Sequence, residues 1–437
     1  MSFSALCTSL KWLFLDQRRL ISKGFASSDR FSLKMYLPVY SEGRGGLSSP
    51  VKEKKVYFLR SSEDISAVHR AGSEKIDTGS AYAFLRPYFG DQSVFVMDGA
   101  DHVSAKQAVY RAIRKNMDFR EDDLLFFQFS VKQLVPPGEY AVLPALQRIS
   151  CAFVLRTIFG EQGTELSERT IDFAIGAAGN ASGTFLLLPN ILRSTRKFGR
   201  SLAIRRQRIA LRQFIGDQLP GLNIGDDWDA PSLGMKDRQR TEIIDNLMTL
   251  LIAGFETTST ALSWLMYELA VNQEIQADIR WEFQNQGHGE YLSYFEDDNT
   301  ILARSVQEVL RLHPSIPFII REAKSGDILP GLGAQLGDYL VLSIEEAHKV
   351  ATGLDGNLFR PERFLNKPMA PKVSTFGGGA KICPGRAIAV QQLRILCAVL
   401  VGAYLVSTTS KTVAKIERNR VSATPKGGMH LSLRRLT

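Results

Sequence analysis

Apolar residues recur at three- and four-residue spacing over 143–159, 204–219, 243–271, 301–312 and 387–405, and this period predicts helices there. From about His102 onward it dominates the chain. The 243–271 stretch is apolar on nearly every side, which predicts a long, central, buried helix. The polar stretch 223–240 predicts a loop leading into it. Strand-like alternation is sparse and early, at 31–37 and 56–59, on either side of a turn-rich segment at 41–50. No internal repeat or low-complexity tract appears. The pattern predicts a mainly α chain with a small β-sheet (α+β), and 437 residues allow either one large core or two to three average domains.

Composition narrows the classes. Hydrophobic residues at 44% and charged residues at 23% are ordinary for a globular chain. No apolar run reaches the ~18–20 residues that span a bilayer. The first candidate, 5–21, is broken by Lys11, Asp16, Arg18 and Arg19. It is read as an amphipathic first helix, although the Ser-rich, basic first thirty residues also resemble an organelle transit peptide. The four cysteines, Cys7, Cys151, Cys383 and Cys397, are scattered without C-x-x-C spacing. A disulfide framework is therefore not expected, and a reducing, cytoplasmic setting is. The six histidines show no zinc-ligand spacing. The net charge of +9 raises the question of nucleic acid, because basic residues cluster between Arg193 and Arg212. That segment has few aromatics and no nucleic-acid module, so it reads as a solvated helix face. A basic surface would also steer an acidic protein partner.

Three short segments carry chemistry. Phe376-Gly377-Gly378-Gly379-Ala380-Lys381-Ile382-Cys383-Pro384-Gly385 sets a cysteine in a glycine-rich loop just before an apolar helix. Backbone N–H groups and a helix N-terminus there can stabilise a thiolate. The glycines let the backbone pass close under something large and flat, and Pro384 suits a first helical turn. The bland alternative is a buried cysteine acting as a small hydrophobe. A phosphate loop is rejected, because the G-x-x-x-x-G-K-[ST] spacing is missing. Within the long helix, Ala253-Gly254-Phe255-Glu256-Thr257-Thr258 interrupts an apolar face with a glycine, an acid and two hydroxyls. Thr257 can bond the carbonyl of Ala253 and loosen the helix ladder. A satisfied polar kink and a proton-handling site both fit that pattern. Glu308 and Arg311 lie three apart on one helix face and can pair, before Leu312-His313-Pro314.

Taken together and in this order, the three segments resemble the cytochrome P-450 family, soluble bacterial-like type, and the resemblance runs from about Ser9 to the C-terminus. It implies the cytochrome P-450 fold, a single large helical domain over 1–437 enclosing haem b (iron protoporphyrin IX). It implies Cys383 as the axial ligand of the haem iron, the family's haem-thiolate chemistry. Phe376, Gly377 and Gly385 would frame the haem on the cysteine side, and Ala253 and Gly254 on the oxygen side. Thr257 would hydrogen-bond the bound oxygen species, and Glu256 would relay protons. Arg321, His102, Lys106 and Lys381 would meet the haem propionates. Lys stands at 106 and 381 where the family commonly has Arg, and it lacks the bidentate fork, so Arg321 is the partner expected to matter most. Glu308 and Arg311, with Arg363 of Phe359-Arg360-Pro361-Glu362-Arg363-Phe364, would form the family's structural triad. The customary Asp-Pro after Ala347-His348-Lys349 is absent, replaced by 350–356, which predicts local irregularity.

The implied function is a monooxygenase that inserts one atom of O2 into a small, apolar organic substrate by hydroxylation, epoxidation or oxidative coupling. Specialised metabolite biosynthesis is the expected setting, with the substrate either free or tethered to a carrier protein. Electrons would come from an external NAD(P)H-dependent partner, a ferredoxin or flavodoxin-type donor on a basic face around the cysteine loop. A monomer without membrane span or nucleic acid is expected. The resemblance places the pocket's roof at 75–96 and 166–219, with walls at Phe255 and 316–320. Two other functions compete with this one: a haem-thiolate lyase or isomerase that does not use O2, and a non-catalytic haem- or ligand-binding protein.

Overall fold

The computed structural model describes residues 24–26, 28–38, 51–114, 120–160, 171–172, 174–176, 200–218, 237–287, 290–366, 372–417 and 422–436. The expected first helix at 5–21, the turn segment at 41–50 and most of 166–199 lie outside these residues. In chain order come strands β1 (Arg30–Pro38) and β2 (Val51–Leu59), helix α1 (Ser62–Arg70), the short β3 (Ile76–Asp77) and α2 (Arg86–Phe89). Helices α3 (Gly99–Arg114) and α4 (Glu121–Leu134), strand β4 (Gly138–Ala141) and helices α5 (Leu143–Phe159) and α6 (Arg200–Gln218) follow. The middle of the fold is α7 (Asp237–Val271), then α8 (Gln273–Gln284), α9 (Tyr291–Glu296) and α10 (Ile301–Leu312). Strands β5 (Phe318–Ala323) and β6 (Tyr339–Ser343), helices α11 (Ile344–Ala351) and α12 (Arg386–Ala403), and strands β7 (Tyr404–Thr408) and β8 (His430–Arg435) complete it.

Local chemistry explains several boundaries. The Ser61 hydroxyl accepts from Asp64 N at the start of α1, and Thr300 accepts from Ala303 N at the start of α10. Proline in its first turn starts α5, and Gly160 at φ 65° follows its last residue. α7 is 35 residues long, and Phe255, Leu262, Trp264, Leu265 and Leu269 within it are buried. Around it lies one large apolar cluster shared with α4, α5, α8, α10 and α12. A second cluster joins α5, α6 and the N-terminal half of α7. α12 is long and apolar enough, by length and composition, to cross a membrane, but 392–401 of it are buried in that first cluster.

The helical expectations hold closely: α5 and α10 coincide with 143–159 and 301–312, and α7 begins six residues before 243. The end of the last helix is corrected, because Tyr404 and Leu405 belong to β7. The idea that strands are confined to the start is also corrected. A five-stranded sheet runs β1-β2-β6-β5-β3, with β2 and β6 parallel and the other pairs antiparallel. A three-stranded antiparallel sheet runs β4-β8-β7. These later strands are short, and β5, β6 and β8 also pair with strands more than two hundred residues earlier, so tertiary partners and not local alternation make them strands.

Candidate functional site

The cysteine loop is folded back on itself. Cys383 N donates to the Phe376 carbonyl at 2.9 Å, Gly377 N to Ser374 O at 2.9 Å and Ile382 N to Gly379 O at 3.1 Å. Gly377 and Gly379 sit at φ 72° and 61°, a region that penalises any Cβ. A second constraint comes from α1. A Cβ on Gly379 would lie 1.9 Å from the His69 carbonyl oxygen, and one on Gly378 2.9 Å from the His69 ring. The glycines therefore also serve the close passage of the loop beneath α1, a reason the sequence did not disclose.

Cys383 is exposed by area, whereas Cys151 and Cys397 are buried. Protein crowded around the Cys383 thiol raises its pKa, opposed by the Gly385 backbone N–H and by the positive charge of Lys106. Gly385 caps α12, so the sulfur stands at that helix's N-terminal end. One turn on, Ile388 packs against both apolar clusters, including the one that contains Phe255. The loop and the middle of α7 are thus joined through the core.

On α7 the Thr257 hydroxyl donates to Ala253 O at 2.8 Å. Ser315 Oγ, just beyond α10, donates to the Thr257 carbonyl at 2.7 Å. The Glu256 carboxylate accepts from Gln147 Nε2 of α5 at 3.0 Å, from Ser422 Oγ at 3.0 Å and from Thr424 Oγ1 at 3.4 Å. A Cβ on Gly254 would come within 3.0 Å of Val154 Cγ2, so this glycine brings α5 and α7 together. Residues 92–94 of the expected pocket roof are pinned to α7. Gln92 N donates to Asp245 Oδ2 at 3.1 Å, Val94 N to Asn246 Oδ1 at 2.8 Å, and Ser93 Oγ pairs with Thr249 Oγ1 at 2.8 Å.

A cluster of cations adjoins the loop. Lys106 Nζ donates to Ala380 O at 2.7 Å, and Lys381 Nζ to Met97 O at 2.7 Å, with Asp98 3.6 Å away. Arg321 of β5 is 5% exposed, donates to Ile320 O at 2.8 Å and hydrogen-bonds Tyr82. Among the described residues it makes no ion pair with a carboxylate. Burial lowers the pKa of Arg321 and of Lys106, and pushes Lys381 down to about 8. His102 is pushed down to about 3 by burial and then by Lys381, Lys106 and Arg321. Asp98 is shared with Lys324 at 3.2 Å. The cluster is therefore crowded, desolvated and short of negative charge, so it fits a ligand carrying two carboxylates, as the propionates of haem do.

Behind the loop, Glu308, Arg311 and Arg363 come together in a buried network. Arg311 Nε and Nη2 bind Glu308 at 2.6 and 2.8 Å, and Arg363 Nε binds Glu308 Oε1 at 3.2 Å. The segment that replaces the expected Asp-Pro supplies carbonyls to both arginines: Gly356 O to Arg311 at 2.9 Å and Asp355 O to Arg363 at 2.6 Å. His348 was missed from sequence. Its Nε2 accepts from Ser374 N at 2.9 Å, which leaves Nδ1 to donate to the Arg311 carbonyl at 2.9 Å. With Thr375 Oγ1 donating to Leu310 O at 2.6 Å, the network reaches the start of the cysteine loop. Gln147, Ser422 and Thr424 were also missed, because nothing local marks them as partners of Glu256.

Comparison with known proteins finds one family. The Cytochrome P450 family model matches residues 229–432. A putative cytochrome P450 138 of Mycobacterium tuberculosis is 24% identical over 382 residues, covering 82% of each chain. A putative cytochrome P450 135A1 of the same organism is 24% identical over 420 residues, covering 91% of this chain and 90% of its own. Cytochrome P450 71A18 of Arabidopsis thaliana is 30% identical over 177 residues, 38% of this chain and 36% of its own. Among solved structures, a cyanobacterial CYP120A1 with bound retinoic acid matches with TM-score 0.76 at 18% identity, covering 98% of this chain and 96% of its own. The cytochrome P450DA heme domain gives 0.75 at 18% identity, covering 98% and 95%.

Proposed function

Because the chain belongs to the cytochrome P450 family and is a haem-thiolate monooxygenase, we propose that Cys383 holds the iron of haem b and that Glu256 and Thr257 serve the oxygen side. The observation that carries this reading is Cys383 itself: a cysteine just before α12 whose thiol feels the Gly385 N–H and the charge of Lys106. When bound, haem supplies the reduction and cleavage of O2, with electrons from an external donor.

The chain's own residues divide the remaining work. The Gly385 N–H, the α12 N-terminus and Lys106 offset the charge of the thiolate. Arg321 and His102 meet the propionates, with remaining N–H groups of Lys106 and Lys381, whose bonds to Ala380 and Met97 also hold the loop. Phe376, Gly377 and Gly385 frame the cysteine side, and Ala253 lines the opposite side, where its carbonyl accepts from the Thr257 hydroxyl. Thr257 keeps a hydroxyl at that turn, and Glu256 passes protons toward it. Glu308, Arg311 and Arg363 hold the segment that leads into the loop.

The residues assigned to the pocket are mostly apolar, which supports a small apolar substrate, free or carrier-tethered, and a role in specialised biosynthesis. Arg70 and Arg386 are exposed beside the loop, and with Lys106 they make a basic face for an acidic ferredoxin or flavodoxin-type donor. The whole chain acts as one domain and a monomer, in the cytoplasm. The test is a titration of the ferric protein with a panel of apolar metabolites, watching the haem Soret band, followed by turnover of each hit under isotopically labelled O2. A blue shift and one labelled oxygen atom in the product are expected. Conversion of a hit under argon without reductant would identify a lyase or isomerase and overturn the proposal.

A further inference from the structure

The Glu256 carboxylate has neutral partners. It makes no ion pair among the described residues; its partners are Gln147, Ser422 and Thr424. The two hydroxyls lie 2.7 Å apart and are 6% and 4% exposed. Ala423, between them, is anchored on both sides. Its N–H donates to Ser315 O at 2.8 Å, and its carbonyl accepts from Trp264 Nε1 at 2.8 Å. Ser315 also donates to the Thr257 carbonyl. The 422–424 segment is thus clamped to the same turn of α7 that carries Glu256 and Thr257.

We propose that Thr424 and Ser422 are the last two proton carriers before Glu256, in that order, with Gln147 fixing which carboxyl oxygen is charged and discharged. This rests on Glu256 acting as the proton relay. The Gln147 Nε2 group, which faces Oε2, can only donate, so Oε2 stays an acceptor and Oε1 is the oxygen that takes the proton. The Thr424–Ser422 contact at 2.7 Å and the Ser422–Glu256 contact at 3.0 Å fall within hydroxyl hydrogen-bond range. The direct Thr424–Glu256 contact at 3.4 Å falls outside it. A proton reaching Thr424 Oγ1 releases that hydroxyl's own proton to Ser422 Oγ, which releases its own to Glu256 Oε1. Each hydroxyl ends with one proton, Glu256 gains one, and no electrons move. A hydroxyl can donate to the carboxylate and accept from the acid, so both states of Glu256 keep a partner, whereas a cation would favour only the charged one.

The test uses haem-loaded protein, a ferredoxin with its reductase, and the variants Ser422→Ala, Ser422→Thr, Thr424→Val and Glu256→Gln. Three quantities are read: the rate of O2 uptake, its solvent deuterium isotope effect, and the infrared carboxylate band assigned to Glu256 by its loss in Glu256→Gln. Ser422→Ala should slow uptake roughly tenfold, raise the isotope effect and shift the band. Ser422→Thr should restore all three, and Thr424→Val should raise the isotope effect with a smaller band shift. Should Ser422→Ala fail to load haem, Ser422→Cys, a near-isosteric weak donor, gives the same reading. Wild-type isotope effect and band in Ser422→Ala combined with Thr424→Val would overturn the hydroxyl route alone, if Glu256→Gln is still slow. Wild-type behaviour of Glu256→Gln would overturn the relay role of Glu256 and this route together.

Discussion

Two buried arginines, ten residues apart, live in opposite surroundings. Arg311 is 0% exposed and fully partnered: Glu308 takes two of its N–H groups, and Gly356, Leu358 and Thr352 take others. Arg321 is 5% exposed, with one backbone carbonyl, one tyrosine and no carboxylate ion pair among the described residues. The charge of Asp98 acts on Arg321 without forming an ion pair, and a buried charge so thinly offset is costly. On the proposed reading, the contrast separates an arginine that holds the fold from one that meets haem.

The comparison is broken most forcefully at Arg311. Arg311→Ala takes from buried Glu308 the closer of its two arginines and should cost about 3–5 kcal/mol, read by denaturant unfolding of the haem-free protein. An unchanged midpoint would mean that the network contributes nothing to the fold. Arg321→Gln should behave the other way. It should leave haem-free stability undiminished or raise it, because a buried charge is removed and no carboxylate ion pair is broken. Haem loss to an acceptor protein should accelerate on the order of 10- to 100-fold, the worth of one charged hydrogen bond. A large loss of stability without faster haem loss would remove the distinction.

Acid sharpens the same contrast. Burial, helped by the Arg311 charge, pushes the His348 pKa down to about 4, below its ordinary value of 6.5, against the opposing pull of its bond to the Arg311 carbonyl and of Glu345. A depressed folded pKa favours the neutral ring, so this stability is present above pH 6.5 and is lost as pH falls toward 4. The melting temperature of the haem-free protein should fall through that window, and His348→Gln should start lower and fall less steeply. Parallel slopes for both proteins would contradict the assignment. The smallest effect belongs to the surface. Reduction by an acidic donor should slow severalfold from low to high salt, and a flat stopped-flow rate would exclude docking on the Arg70 and Arg386 face.

What could be read from sequence was what lies close together along the chain. The cysteine loop, the acid–hydroxyl turn and the Glu308–Arg311 pair each sit within a few residues, and helical periodicity located α5, α7 and α10. What could not be read depends on segments far apart. The glycines at 378 and 379 are squeezed by His69, more than three hundred residues earlier. The Glu256 partners come from α5 and from the C-terminal segment. Strands β5, β6 and β8 pair with strands more than two hundred residues earlier, and His348 acts through Ser374. Local spacing carries no trace of such contacts.

The most direct test of the central claim is the carbon monoxide spectrum of the reduced, haem-loaded protein, set beside that of Cys383→Ser. The account predicts a thiolate-type band in the first and its disappearance in the second, with haem still bound. A thiolate-type band that survives in Cys383→Ser, or that never appears in the parent, would contradict Cys383 as the iron ligand.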